Sequence, residues 1–595
     1  MAEYHNPQED SGSQKRLLIA FFLIFIGIAV MQYLMPKPPP QPQKPETPQP
    51  TQTQPSSPAT ATPAATAPAV ANGKTPANAA PALPLAPVKK GEAETETVIE
   101  TNLYRITFTN RGGQVKSWVL KKSKYLPDAE VELVNPIAAP VMGYPLSFFA
   151  YDKDLQKKLN EALYVPSATG PQKPPFSLSF EFSDGETRAT KKFSFDDSYV
   201  ISVETEVTSK GQKAAAYPQW PSGFGDDANQ ASSYAGEKIL WQQNKDIQRQ
   251  AAQSGWFLTG KKSISNGATL SGPYQWAATA NQYFAAAFMP YSPEDTALVT
   301  LHDQIDVGRN PDKPNEDKMK VSVLGLAVGN VHGATKERLF VGPKAVDLLE
   351  SVSTPSANDL RGMLDYGMFG FISRPLFACL TWTFEHIAHN WGWAIAILTI
   401  IINLVLLPLR IAGIKSALKM SKIQPQIKAI NEKYKKYSIT DPRRAEMQKE
   451  TSALYKKEGV NPLGGCFPMM LQMPFLFAFY SMLSNAFELR HASWLWVHNL
   501  AGADPWHLLP IVVVVTMFFT QKSTPSAGMD PAQQKMMNYM TPLMIGGMTW
   551  VLPAGLGVYW AISNLIGLVQ QTAVNRSQFG QQVRKTVEKR AKRKK

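Results

Sequence analysis

The chain has 595 residues, too many for one compact core, so several domains are expected. Lys and Arg number 61 against 47 Asp and Glu, a net +14 that suits nucleic acid, acidic lipid or a ribosome-like partner. Its two cysteines, Cys379 and Cys466, are far apart and form neither a CxxC pair nor a zinc spacing, so a disulfide framework is unsupported and packing is their expected role.

Apolar residues gather at the start and in the last third. Residues 17–34 (LLIAFFLIFIGIAVMQYL) form an almost unbroken apolar run behind Lys15 and Arg16. About 20 such residues span a hydrocarbon core as a helix. A cleaved signal peptide would have a shorter apolar region and a small-x-small site, and no such site precedes Met35-Pro36, so the run reads as a retained anchor. Residues 36–96 begin as a tract of Pro, Gln, Thr and Ala with almost nothing large to bury, which predicts an extended tether.

From about residue 97 the apolar period becomes two. Tyr104, Ile106 and Phe108 face one way before an Asn110-Arg111-Gly112-Gly113 turn. Phe176, Leu178, Phe180 and Phe182 alternate up to Asp184-Gly185, and Tyr199, Ile201, Val203 and Val207 continue the pattern. Strands with one apolar face joined by Gly and Asp turns predict an antiparallel β-sandwich over 97–350, closed by a short helix at VDLLESV.

Residues 351–390 connect this domain to the apolar third. Within them Leu376, Leu380, Phe384 and Ile387 stand at helical spacing, which predicts an amphipathic interfacial helix over 372–388. Apolar stretches follow at 391–410, 465–486, 508–521, 538–552 and 555–574, making a five-span core over 391–575 and, with 17–34, six spans. The fold class expected is therefore a polytopic α-helical membrane protein with a large β-sandwich outside the membrane. The loop 412–460 and the tail 576–595 are rich in Lys and Arg, so positive-inside reasoning places both in the cytoplasm. Even parity then puts the N-terminus inside and the sandwich outside. Within the loop, Ile423, Ile427 and Ile430 mark one helical face, Met447 and Leu454 another, and Asp441-Pro442 a helix start, so a basic helical hairpin is expected.

Little in the sequence suggests catalysis. There is no GxxxxGK loop, HExxH or GxSxG elbow, and no catalytic residue, metal site or cofactor is expected; His386 and His389 beside Glu385 read as headgroup-level polar residues. None of the six segments holds an Asp or Glu, which disfavours a coupled transporter but leaves an uncoupled channel or an anchored periplasmic scaffold as alternatives. The later spans do carry Thr399, Asn403, Arg410, Gln472, Ser563, Asn564 and Gln570, costly in lipid unless they face one another or water. Asn403 and Arg410, seven residues apart, lie on nearly one helix face roughly 10 Å apart along the axis. They could line a wet groove open to the cytoplasm; helix–helix hydrogen bonding for Asn403 and Gln472, and a plain cytoplasmic anchor for Arg410, are the alternatives.

The run from Asn461 to Pro468 (NPLGGCFP), followed by Gln472-Met473-Pro474, resembles the third span of bacterial YidC insertases. Met517-Phe518-Phe519, the Asp530-Pro531-x-Gln533-Gln534-Lys535 loop, Tyr559 and Ser563-Asn564-Leu565 resemble the same family, and the whole architecture matches its Gram-negative form. The resemblance implies a bacterial inner-membrane insertase and chaperone for nascent inner-membrane proteins, acting alone or beside the Sec translocon without nucleotide. It further implies a hydrophilic groove open to cytoplasm and lipid, made positive by an Arg in the second span. Aligning on Pro408-Leu409 places Asn403 at that Arg position, with Arg410 two turns nearer the cytoplasm. The resemblance also implies a slide for the client helix, here Met473, Leu476, Leu543, Met548 and Tyr559. The basic hairpin and tail resemble contacts for ribosomes or targeting machinery, and anionic lipids attract such segments by charge.

Overall fold

A computed structural model describes residues 87–592, apart from 127–128, 227, 230, 255–261, 309–317, 353, 356–359, 367–368, 435, 438–440, 461–466, 491 and 525–530. The anchor at 17–34, nearly all of the tether, the Asn461–Cys466 motif, Asp530 and the last three residues of the tail fall outside that description.

The first half is β-rich. One sheet of five strands is built around Glu96–Glu100, Tyr104–Thr109 and Gln114–Leu120; a larger sheet runs through Phe176–Ser183, Thr187–Phe195, Val200–Ser209, Ala334–Pro343 and Phe284–Pro290; a third is centred on Thr296–Gly308 and Lys318–Asn330. Every pairing among the described strands is antiparallel except Glu96–Glu100 against Gly170–Gln172. Alternation explains the sandwich: Tyr104, Ile106 and Phe108 are fully buried, and the Phe108 ring meets Phe180, Phe193 and Phe195 of the large sheet at 5.9, 5.1 and 5.8 Å. Burying one such ring contributes about 1.5–3 kcal/mol. Two short helices, α1 (Ala139–Met142) and α2 (Lys153–Glu161), decorate the sheets, and α3 (Val346–Ser351) closes the domain at the predicted VDLLESV.

The second half is helical. α4 (Gly370–Thr383) runs into a π-helical turn at Phe384–Ala388, closed by a 2.9 Å bond from His389 N–H to the Phe384 carbonyl. Asn390 then caps α5 (Trp391–Val405), its Oδ1 accepting from the N–H groups of Gly392 and Trp393 at 3.0 and 3.2 Å. The two helices meet at 114°. The buried face of α4 is Ser373, Leu376, Phe377, Leu380 and Thr383, which corrects the expected stripe: Ile387 is half exposed. The π turn inserts extra backbone after Thr383, so the side chains beyond it rotate off the buried face.

The stretch expected as one span over 391–410 is divided, since α5 ends at Val405 and α6 (Leu407–Tyr434) carries the chain on into the hairpin. Pro408, with no N–H to give, stands where the two helices join. α7 (Arg443–Glu458) returns along α6, with Ile423, Ile427 and Met420 packed against Leu454, Tyr455 and Val460. The helix begins at Arg443, one residue later than expected, and the Asp441 carboxylate still accepts from the Arg443 N–H at 2.9 Å.

The remaining helices are α8 (Phe467–Asn485), α9 (Leu508–Ser523), α10 (Pro531–Thr549), α11 (Ala554–Arg576) and α12 (Gln578–Lys592). α11 is the hub, packing against α5, α6, α8, α9 and α10. Among the described residues no single helix is long and apolar enough to cross a membrane; α4 with α5 passes that test only as a bent pair, and α9 is a shorter apolar helix. α12 does not hang free: Phe579 and Val583 pack on Ile411, Ile414 and Leu418 of α6.

The two halves meet at the far end of α8. Phe487 enters the β-rich core, its ring edge-on to Tyr283 and Phe284 at 6.1 and 5.8 Å. Arg490 Nη1 stands 3.9 Å from Asp226 Oδ2, both nearly buried, and Asn485 Nδ2 donates to the Asp365 carbonyl at 2.8 Å.

Candidate hydrophilic groove

Three separate pieces of chain bring the polar span residues together. Apolar flanks hold α5, α8 and α11 in one cluster that includes Ile395, Leu398, Leu476, Phe479 and Val558, and the polar side chains on their facing sides bond one another and nearby backbone carbonyls. Arg410, at the start of α6, donates from Nη2 to Gln472 Oε1. Gln472 Nε2 donates in turn to the Tyr559 hydroxyl, which is also bonded to Ser563 one turn along α11. From the other side Asn403 Nδ2 donates to Ser563 Oγ at 3.2 Å and to the Thr399 carbonyl at 2.7 Å. Thr399 completes the series by donating to the Ile395 carbonyl at 2.6 Å.

The result is a continuous polar chain from Arg410 to Thr399. Its two ends differ in exposure. Arg410, Gln472 and Asn564 are partly exposed, whereas Thr399, Asn403, Tyr559 and Ser563 are buried. No carboxylate among the described residues lies within ion-pair distance of Arg410, so its charge is shared only with the Gln472 amide. Among the polar residues of this cluster, the individual atoms Asn403 Oδ1 and Asn564 Nδ2 are buried without a hydrogen-bond partner among the described residues. A buried polar atom left without a partner costs about 1–3 kcal/mol. The arrangement can do no acid–base chemistry at a carboxylate, but it can hold polar groups below the apolar surface and favour negative ones.

Arg410 and Asn403 lie on two helices, α6 and α5, rather than on one helix face, and the link between them runs through Gln472, Tyr559 and Ser563. Tyr559, expected in the client slide, instead sits at the centre of this chain, its ring stacked on Phe479 at 4.1 Å. Its four-residue spacing to Ser563, matching that of Thr399 to Asn403, is a signal in the sequence that the reading of Tyr559 as a slide residue passed over. The other slide residues differ among themselves: Leu543 is exposed, Met473 and Met548 are partly covered, and Leu476 is buried. Of the expected headgroup-level residues, His386 stacks on Trp382 at 5.1 Å.

Residues 382–582 match the family model described as 60Kd inner membrane protein, and residues 96–379 match the YidC periplasmic domain. The chain is 30% identical over 495 residues to a membrane protein insertase YidC of Endomicrobium trichonymphae, covering 80% of this chain and 83% of that one. It is also 30% identical over 508 residues to the YidC insertase of Bordetella avium strain 197N, covering 81% of this chain and 83% of that one. A solved structure of an active YidC insertase with its first transmembrane domain resolved is 19% identical, covers 81% of this chain and 93% of its own, and gives a TM-score of 0.33.

Proposed function

Because this chain belongs to the YidC family of membrane protein insertases, we propose that the Arg410–Thr399 polar chain is the hydrophilic path that receives the polar tails of its clients. The protein is an inner-membrane insertase with a β-rich periplasmic domain, not an enzyme, and nascent membrane proteins are its substrates. In our reading it also serves as a chaperone, alone or beside the Sec translocon. Six spans then cross the membrane, 17–34 and five in the core, with both termini cytoplasmic.

The observation that carries the proposal is the unneutralised Arg410 at the outer end of a chain of hydrogen bonds that reaches Thr399. A polar tail crossing lipid loses its water, and a path of amides and hydroxyls part-way across shortens that dry distance. Arg410 adds attraction for acidic tails and stands in for the family's second-span Arg, whose position Asn403 occupies. Release follows when the client's apolar helix leaves for lipid, its burial favourable by roughly 25 cal/mol per Å². Met473, Leu543 and Met548 offer that helix an apolar surface beside the path; unbranched Met adapts to varied partners. The hairpin α6–α7 and the basic tail are the docking elements for ribosomes, targeting machinery and anionic lipids.

The test is insertion of a single-span client with an acidic tail into liposomes holding only this protein. Arg410→Ala should reduce the protease-protected fraction about tenfold, equivalent to ~1.4 kcal/mol, and Arg410→Lys should recover most of it. Unchanged protection with Arg410→Ala would reduce Arg410 to an interfacial anchor.

A further inference from the structure

Between the β-rich domain and α4 lies a cavity of about 1110 Å³, roofed by Lys124 and Asp347 and floored by the α4 face that carries Arg374, Ala378, Thr381 and Glu385. The opposite end of its wall is formed by Phe487, Glu488, Arg490 and Ala492, beyond α8. Nothing in the groove mechanism uses this space.

Its level relative to the bilayer follows from neighbouring side chains. α4 exposes Phe371, Trp382 and the adjoining Ile387, and α5 exposes Trp393, Ile400, Leu404 and Val405. Apolar side chains exposed along α5 belong in lipid, and an aromatic-bearing helix bent 114° from it belongs at the headgroups. The cavity therefore opens where lipid headgroups lie, on the periplasmic side.

The charges on its wall specify what fits. Lys124 is held by Asp347 at 2.6 Å, Arg361 by Glu350 at 2.9 Å and Arg490 by Asp226 at 3.9 Å, so those pairs cancel, and Glu385 adds a carboxylate on the α4 side of the wall. Arg374 has no ion-pair partner among the described residues; its guanidinium lies 5.9 Å from the ring of Tyr366. Tyr366 also feels the charge of Glu488, so its phenol lies within electrostatic reach of both Arg374 and Glu488, which line the same cavity. Glu488 is itself poorly satisfied: Oε1 accepts one long 3.4 Å bond from Val346 N–H, and Oε2 has no partner among the described residues. Burial pushes that carboxyl up to about 7, as happens where no cation compensates it.

We propose that this cavity binds the headgroup of an outer-leaflet phospholipid carrying a primary ammonium, with Arg374 on the phosphate and Glu488 on the ammonium. A guanidinium matches phosphate oxygens with paired donors. A primary ammonium can donate hydrogen bonds to a carboxylate, whereas a trimethylammonium cannot. The wall thus selects phosphatidylethanolamine over phosphatidylcholine, and its buried carboxyl opposes an anionic phosphatidylglycerol. A lipid held there would fix α4, and with it the β-rich domain, against the membrane surface. This inference rests on family membership only for the presence of a bilayer, not on the groove.

A photo-crosslinking residue at Ala378, exposed on the cavity wall, tests it in nanodiscs of the full chain with radiolabelled phosphatidylethanolamine, phosphatidylcholine or phosphatidylglycerol. The same residue at Trp393, on the exposed side of α5, is the control. Labelling at position 378 should favour phosphatidylethanolamine at least fivefold, while position 393 labels all three alike. Arg374→Ala and Glu488→Gln should each abolish the preference at 378 and leave labelling at 393 intact, which also reports that the protein is folded. Equal labelling at 378 by all three lipids overturns the proposal. So does a preference for phosphatidylglycerol, or a crosslink to a client chain in place of lipid.

Discussion

Glu237 sits wholly inside the β-rich domain, its Oε2 accepting from the Leu324 N–H at 2.8 Å and its carboxyl also meeting the Phe224 N–H. Burial outweighs those bonds and pushes its pKa from 4.5 up to about 8, with Asp226 adding to the rise. Only glycine fits opposite: Gly223 has φ +60°, and a Cβ there would collide with the Glu237 carboxyl. A carboxyl whose folded pKa lies above its unfolded one binds more protons when folded. Its contribution to stability is complete below pH 4.5 and is lost as pH rises through about 8. Every tenfold difference in proton affinity between the folded and unfolded chain corresponds to about 1.4 kcal/mol. The amide of Glu237→Gln does not titrate, so its lower absolute stability should vary less between pH 5 and 9 than that of the native chain, as followed by thermal unfolding of the full protein in nanodiscs. Parallel pH profiles for the two would show that Glu237 is already ionised in the fold.

At the scale of elements, the hairpin offers a sharper test than the charges on its surface. The exposed Lys433–Glu450 pair at 2.6 Å is screened by water and contributes little. Ile423, by contrast, is fully buried between α6 and α7. Ile423→Ala should cost about 3 kcal/mol and raise hydrogen exchange in α7 roughly 100-fold, while α11 stays protected. Lys433→Ala should change exchange in α7 by no more than a few fold. Exchange rising equally in α7 and α11 would instead make the hairpin part of one cooperative unit with the bundle. This apolar seam was legible beforehand because Ile423 and Ile427 repeat at helical spacing, as were the strands in which Tyr104, Ile106 and Phe108 alternate. Phe284–Pro290 was not, since all seven residues are buried and no alternation survives in a strand covered on both faces. Ile387 was misplaced because a π turn leaves no mark on apolar spacing. In the candidate site, Asn403, Arg410 and Gln472 stood out as polar residues in apolar segments, whereas Tyr559 was placed in the client slide, because Gln472, the partner that ties its hydroxyl to Arg410, lies on another helix.

At the scale of the whole molecule, α8 connects the polar chain to the β-rich domain. Gln472 near its start bonds Arg410 and Tyr559, and the Phe487–Arg490 turn beyond its end is lodged in the β-rich domain. The lodging combines an aromatic plug with a nearly buried ion pair, and losing the plug should matter more, because Phe→Ala in a core costs about 3–5 kcal/mol. Phe487→Ala should therefore loosen the domain from the bundle without disturbing the polar chain at Gln472, fifteen residues earlier in the chain. The readout is the distance distribution between spin labels at Val331→Cys and Trp506→Cys, both exposed, with Cys379 and Cys466 replaced by Ser. The distribution should broaden by several ångströms, while insertion of the single-span client into liposomes stays within about twofold. An unchanged narrow distribution would place the docking in the 351–390 connection instead. A broadened distribution with insertion lost would show that the β-rich domain holds Gln472 in register through α8, making the domain a working part of the groove.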